Sequence, residues 1–277
     1  MNRDARVTLA RPDLAARVLQ GLVPAARYAD PQARVAILPA VALRRSPDPW
    51  AEQLDQLLFG EVFDVLEEQD GFAWGQARGD GYVGFVESAA LAAADGLPSH
   101  RVAAIRTYAF AEPSIKSRAL GPYSINALVR VEAREGRFAK AAGSGWFVDG
   151  HLAPVGVFET DPVAVAERFL GAPYLWGGRE SLGLDCSGLT QQALLACGKA
   201  WPRDTDQQEK LGAAIEPHAL QRGDLVFWKG HVAMMLDAER IIHANAHHMA
   251  TAIEPLAQTR ARYETAGVGQ PTAYRRP

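Results

Sequence analysis

Apolar residues recur at helical spacing in three stretches of the chain, and elsewhere they come in short runs cut by Gly, Pro and Asp. Leu14, Val18, Leu19 and Leu22 share one face of a short helix predicted within residues 12–28 and ended by Pro24. From residue 33 to 91 the period changes. Val35 to Leu38, Leu57 to Phe59, Val62 to Leu66, Phe72 to Gly75 and Tyr82 to Val86 are short strand-like runs between turns, which predicts a small β-barrel. Residues 92–98 read as a linker, and residues 101–155 repeat the strand texture more faintly, as a divergent second copy.

A helix is predicted over residues 163–170, with Asp161 as its N-cap and Pro162 in its first position. Cys186, Leu189, Ala193 and Cys197 then recur at intervals of three and four, and Gly198 supplies the stop. Three short strands follow over residues 224–228, 231–236 and 240–244, joined by Lys229-Gly230 and by Asp237-Ala238-Glu239. Helices first and strands after predict an α+β unit.

Cys186 falls in the first turn of its predicted helix, where unpaired amides and the helix dipole favour a thiolate nucleophile. Cys197, in an Ala/Leu context, reads as core. If Leu236 pairs with Arg240, His231 faces Asn245 and lies diagonally from His243, within imidazole reach on one sheet face. His231 is then a general base, with His243 or Asn245 as the partner that orients it.

At 277 residues and 48% hydrophobic, the chain is long enough for more than one domain. A net charge of −3 with interspersed acids and bases offers no basic field, so no nucleic-acid partner is expected. No run approaches the ~20 apolar residues of a membrane span, and no export signal opens the sequence, so no membrane insertion and a cytoplasmic location are expected. The two cysteines lie too far apart along one helix for a disulfide, and zinc motifs are absent. His247-His248 reads as an exposed pair, and no metal or other cofactor is expected. The sequence leaves the oligomeric state open.

Six blocks in order carry a resemblance: Tyr174 to Gly178, Asp185 to Leu189, Pro202 to Asp204, Gly223 to Phe227, Gly230 to Ala233 and Ile242 to Ala244. They resemble the NlpC family of cell-wall cysteine peptidases, whose core is papain-like. Leu58 to Glu61 and Asp80 to Phe85 are similar to blocks of bacterial SH3-like domains. The expected organisation is a helical lead-in over 1–32, a first SH3-like domain over 33–95, a second over 100–156 and the peptidase domain over 160–277.

The resemblance implies Cys186 as nucleophile, His231 as base and His243 as orienting residue. Tyr174 would line the site and offer an oxyanion donor beside the Cys186 amide, while Trp176 is read as core. Relatives with paired SH3-like domains cleave peptidoglycan stem peptides between γ-D-glutamate and the diamino acid and require a free L-alanine amine. The resemblance implies that Asp185 and Ser187 bind that ammonium, with Tyr82 and Glu52 contributing from the first SH3-like domain. A closed groove end would make the enzyme an exo-acting dipeptidyl peptidase of murein peptide recycling. Alternatives are a non-catalytic module that holds wall peptides, and another acyl-transfer enzyme on the same fold, an amidase or acyltransferase. Diaminopimelate and lysine substrates are not distinguished.

Overall fold

The short-run texture of the amino-terminal half folds as strands throughout. The computed structural model describes residues 3–277, and the chain divides into two compact units between Val155 and Gly156. In the first unit, seven antiparallel strands form one sheet in the order Gln53–Leu58, Ala40–Arg44, Val83–Glu87, Phe72–Ala77, Val62–Gln69, Gln32–Ala36 and Leu91–Ala93. Asp70-Gly71 makes its tightest hairpin: both residues take positive φ (51° and 81°) and Gln69 pairs with Phe72 across the turn. Val41, Leu43, Leu57, Phe63, Tyr82 and Val86 fill its core.

Residues 100–154 add a three-stranded and a five-stranded sheet. Leu58 and Phe59 of the first sheet pack with Val102, Tyr123 and Phe147 in a shared cluster. Phe59 meets Tyr123 edge-on at 5.1 Å, and the Leu128 amide donates to the Phe59 carbonyl at 2.8 Å. The two strand-rich halves of this unit are therefore joined by core.

The predicted amino-terminal helix does not form. Leu14–Ala16 is a strand paired in parallel with Arg27–Ala29, and a single 3₁₀ turn, Arg17–Leu19, follows it. Pro12 and Pro24 leave room only for a helix too short to stand on its own propensity. The extended chain instead buries Leu9, Leu14 and Ala16 against Trp74, and leaves Val18 and Leu22 exposed.

The second unit is α+β, as its pattern predicts. Helix α1 (Pro162–Glu167) opens with the expected cap, the Asp161 carboxylate accepting from the Val163 amide at 2.9 Å. Helix α2 (Cys186–Ala196) is buried around almost its whole circumference, which fits its near-absence of charge. Short helix α3 (Thr205–Gln208) follows. The sheet then runs in the order Ala213–Ala214, Ala273–Arg276, Leu225–Trp228, His231–Met235, Arg240–Asn245 and Ala250–Pro255. Lys229-Gly230 is the two-residue turn, with Gly230 at φ 76°, and the Leu236 amide donates to the Arg240 carbonyl as the register requires. Met235 faces Ile241 and Met234 faces Ile242. Helix α4 (Leu256–Thr265) has no counterpart in the periodicity reading, because only Leu256 and Thr259 are fully buried along it. No helix among the described residues is long and apolar enough to cross a membrane.

Gly60 gives the first unit a direct test. It holds φ 80°, its amide donates to the Ala36 carbonyl, and a Cβ there would lie 2.1 Å from the Leu128 oxygen. Gly60→Ala is expected to lower stability by about 2 kcal/mol or more in urea unfolding. A variant as stable as wild type would show that the two halves do not meet at this point.

Candidate active site

Asp185 sets the position of Cys186. As N-cap of α2 it accepts from the Gly188 amide at 2.8 Å, and its other oxygen accepts from the Gly177 amide at 2.9 Å. Arg203 donates to both oxygens, at 2.9 and 2.6 Å, and the Ser187 hydroxyl donates at 3.2 Å. The guanidinium continues to Ser187 Oγ at 2.9 Å and to the Gly178 carbonyl at 3.3 Å. One buried ion pair thus ties the Gly177-Gly178 turn, the head of α2 and the 202–204 segment together. Gln208 of α3 closes the cluster, donating to the Ser187 and Pro202 carbonyls at 3.0 and 2.8 Å and accepting from Thr190 at 2.7 Å.

Asp185 and Ser187, which the resemblance assigns to a substrate ammonium, also hold the head of α2 together. Five donors meet the Asp185 carboxylate, and Arg203 pairs with its charge. Ser187 donates to Asp185 and accepts from Arg203. Both residues are buried parts of the helix cap.

The base is assembled on the sheet. His231 Nε2 lies 2.8 Å from His243 Nδ1, and His243 Nε2 lies 2.8 Å from Glu254 Oε1. Arg262 of α4 donates to both Glu254 oxygens, through Nη1 at 2.8 Å to Oε2 and through Nη2 to Oε1. His243 is therefore the orienting partner. Asn245 turns instead to the 246–249 turn, accepting from the His248 amide at 2.8 Å. Glu254, Arg262 and Tyr263 are site residues that the sequence reading missed. Tyr263 stands edge-on to His231 at 5.5 Å, and Trp228 lies 6.0 Å from the same imidazole.

A carboxylate only accepts, so His243 carries its proton on Nε2. Its Nδ1 is then a lone pair while the ring is neutral, and His231 Nε2 must be the donor between the two rings. Nδ1 of His231 is left as the free base. Burial holds His231 well below its ordinary pKa, helped by His243 and Arg262. His243 is also lowered, by burial against the opposing pull of Glu254.

Cys186 sits in the first turn of α2 as predicted, and the Val232 and Ser187 amides donate toward its sulfur. It is not a preformed thiolate. Burial, together with the neighbouring Asp185 charge, pushes the thiol up to about 12, outweighing the amides and Arg203. Desolvation defeats the helix terminus that the sequence argument relied on. Tyr174 is half-buried, and burial, together with the nearby Asp185 charge, keeps its hydroxyl protonated, while burial takes Tyr263 up to about 12.

The other residues singled out in the sequence have these surroundings, each within its own unit. Trp176 is 60% exposed and is not core, because the glycine turn carries it outward. Cys197 is a half-buried C-cap. Tyr82 belongs to the core of the first sheet, and Glu52 is exposed and paired with Arg45 at 2.8 Å. The buried acids of that half are Asp55, within the strand Gln53–Leu58, and Glu61, which accepts from the Leu58 amide at 2.9 Å. His243, His248 and Glu254 bring potential metal-ligand atoms within 4.8 Å of one another. They do not form a metal site, since both His243 nitrogens are hydrogen-bonded and Arg262 covers the carboxylate.

Both units contain a stretch that matches a known family. Residues 171–269 match the NlpC/P60 family, and residues 43–91 match the bacterial dipeptidyl-peptidase Sh3 domain. A γ-D-glutamyl-L-lysine dipeptidyl-peptidase of Bacillus cereus is 36% identical over 104 residues, 35% of this chain and 31% of that protein. A probable endopeptidase of Corynebacterium glutamicum is 33% identical over 135 residues, 48% of this chain and 57% of its own length. The matches thus span about a third to somewhat over half of these relatives. The crystal structure of an NlpC/P60 family protein from Bacillus cereus superposes with a TM-score of 0.76 over 88% of this chain and 99% of that chain, at 20% identity. The fold is shared across both units.

Two outcomes follow from the site. Arg203→Met leaves a buried carboxylate uncompensated and is expected to cost about 3–5 kcal/mol in denaturant unfolding, with the Asp185→Asn/Arg203→Met pair costing less than Arg203→Met alone. Because only thiolate is alkylated, the rate of Cys186 alkylation by iodoacetamide is expected to rise about tenfold per pH unit through pH ~9. A plateau below neutrality would show a preformed thiolate–imidazolium pair instead.

Proposed function

From a chain that joins an NlpC/P60 domain to a bacterial dipeptidyl-peptidase Sh3 domain, we propose a cysteine peptidase that hydrolyses the bond between γ-D-glutamate and the diamino acid of peptidoglycan stem peptides. The observation that carries this reading is the relay from Glu254 through His243 to His231 beside a helix-terminal cysteine. The names of the relatives supply the substrate class. The segment 100–154 is on this reading a second, divergent SH3-like domain, and the role is the recycling of murein peptides in the cytoplasm.

In the proposed cycle the Cys186 thiol passes its proton to His231 Nδ1 as sulfur attacks the γ-glutamyl carbonyl. The Cys186 amide and the Tyr174 hydroxyl, which stays protonated, stabilise the oxyanion. His231 then gives its proton to the leaving amine, the C–N bond breaks, and a thioester remains. Water, deprotonated by His231, hydrolyses it. Asp185 and Ser187 hold the helix terminus and, on this reading, also meet the free L-alanine amine, as the resemblance implies.

The test incubates the full chain with L-Ala-γ-D-Glu-meso-diaminopimelate, with its lysine analogue and with both peptides N-acetylated, and reads the products by mass. Release of L-Ala-D-Glu from the free peptides is expected, with no product from Cys186→Ala and a loss of roughly 10³-fold in His231→Ala. Cleavage of the acetylated peptides as well would keep the peptidase and remove the amine requirement. No cleavage of any peptide would overturn the substrate class.

A further inference from the structure

The relay has one member whose contribution is purely electrostatic. Arg262 approaches neither His231 nor the thiol through a hydrogen bond, yet it donates to both oxygens of Glu254, the carboxylate behind His243. A buried His–carboxylate pair without such a cation ordinarily draws a proton onto the imidazole. In this relay that proton would be harmful. Protonated His243 bears hydrogen on both nitrogens, so its Nδ1 turns from acceptor into donor toward His231 Nε2. His231 would then have to present its lone pair at Nε2 and carry its own proton on Nδ1, the atom left for Cys186.

We propose that Arg262 is a positioning residue: by neutralising Glu254 it keeps His243 uncharged and so holds the His231 lone pair on Nδ1, facing the nucleophile. The surroundings are arranged for this. His243 is met by His231 from its neighbouring strand, by Glu254 from the strand on its other side, and by His248 of the 246–249 turn. Arg262 reaches in from α4, Tyr263 stands edge-on to His231, and Cys186, met by the Val232 amide next to His231 in sequence, is near enough to Tyr263 to interact with it. Glu254 is the sole carboxylate hydrogen-bonded to either imidazole among the described residues, and Arg262 covers it. Burial of Glu254 would raise its pKa, but the hydrogen bonds from Arg262 and His243 hold it well below the carboxylate range.

The sign of the effect follows. In wild type, His243 is lowered and takes up a proton only at acid pH. Without Arg262 the unbalanced Glu254 raises it, so the misoriented form persists to higher pH and activity is lost as pH falls through the new value. This inference rests on the peptidase reading for its kinetic readout but not for its spectroscopic one. In ¹⁵N-histidine-labelled full-length protein at pH ~6, NMR is expected to show His231 protonated on Nε2 in wild type and on Nδ1 in Arg262→Met, with the wild-type pattern returning by pH ~9. The acid limb of kcat/KM on the stem peptide is expected to move up by about one pH unit or more in Arg262→Met, with Arg262→Lys restoring most of the wild-type limb. Arg262→Gln, which also removes the charge, serves if the methionine variant does not fold, its limb moving up likewise; a folded charge-removing variant whose limb stays at the wild-type pH would overturn the proposal. Unchanged His231 tautomers in folded Arg262→Met at pH ~6 would overturn it as well. If no peptide is cleaved by wild type, the spectra alone decide.

Discussion

The hydrogen-bonded carboxylate of Asp185 is the constraint on which the site depends. A nucleophile at a helix terminus needs that terminus fixed, and the two-residue strand Gly183–Leu184 that leads into α2 gives it little rigidity. The Asp185–Arg203 pair supplies it by binding backbone of the Gly177-Gly178 turn and of α2. The packing is close enough that a Cβ on Gly188 would lie 2.3 Å from the Gly178 carbonyl. The glycines of the motif are thus there for backbone contact as much as for a bent chain path.

Two ion pairs, one buried and one partly buried, divide the work. Asp185–Arg203 fixes where sulfur sits, and Glu254–Arg262 fixes how the imidazoles are protonated. Buried pairs of this kind add little net stability against an apolar alternative, because desolvation consumes most of their attraction. What they give is geometry. The same desolvation explains why thiol and imidazole are both neutral at rest: removing water penalises each charged form more than a helix terminus or two backbone amides can compensate.

Local chemistry made much of this readable in the sequence. Lys229-Gly230 can only be a tight turn, and Asp237-Ala238-Glu239 sets the next, so the register that brings His231 and His243 together follows from turn lengths. Asp161-Pro162 and Gly198 punctuate their helices as expected. The unreadable parts depend on distant partners. Arg203 stands in a legible motif, but nothing near it in sequence says that it neutralises Asp185. Glu254 and Arg262 lie in an edge strand and in a helix with few fully buried positions, where charged residues look like ordinary surface. The amino-terminal segment failed for the opposite reason, since its stripe of leucines was real but Trp74 offered an extended chain a better burial than a two-turn helix could give itself.

The enclosure of α2 has a consequence for the life of the thiol. Peroxide and other soft oxidants attack thiolate, and they do so only where they can reach it. A cysteine on a helix packed on nearly every side, its thiol pushed up by burial, offers such oxidants little thiolate. On the proposed reading, burial that slows the resting thiol toward substrate slows its oxidative loss by the same measure.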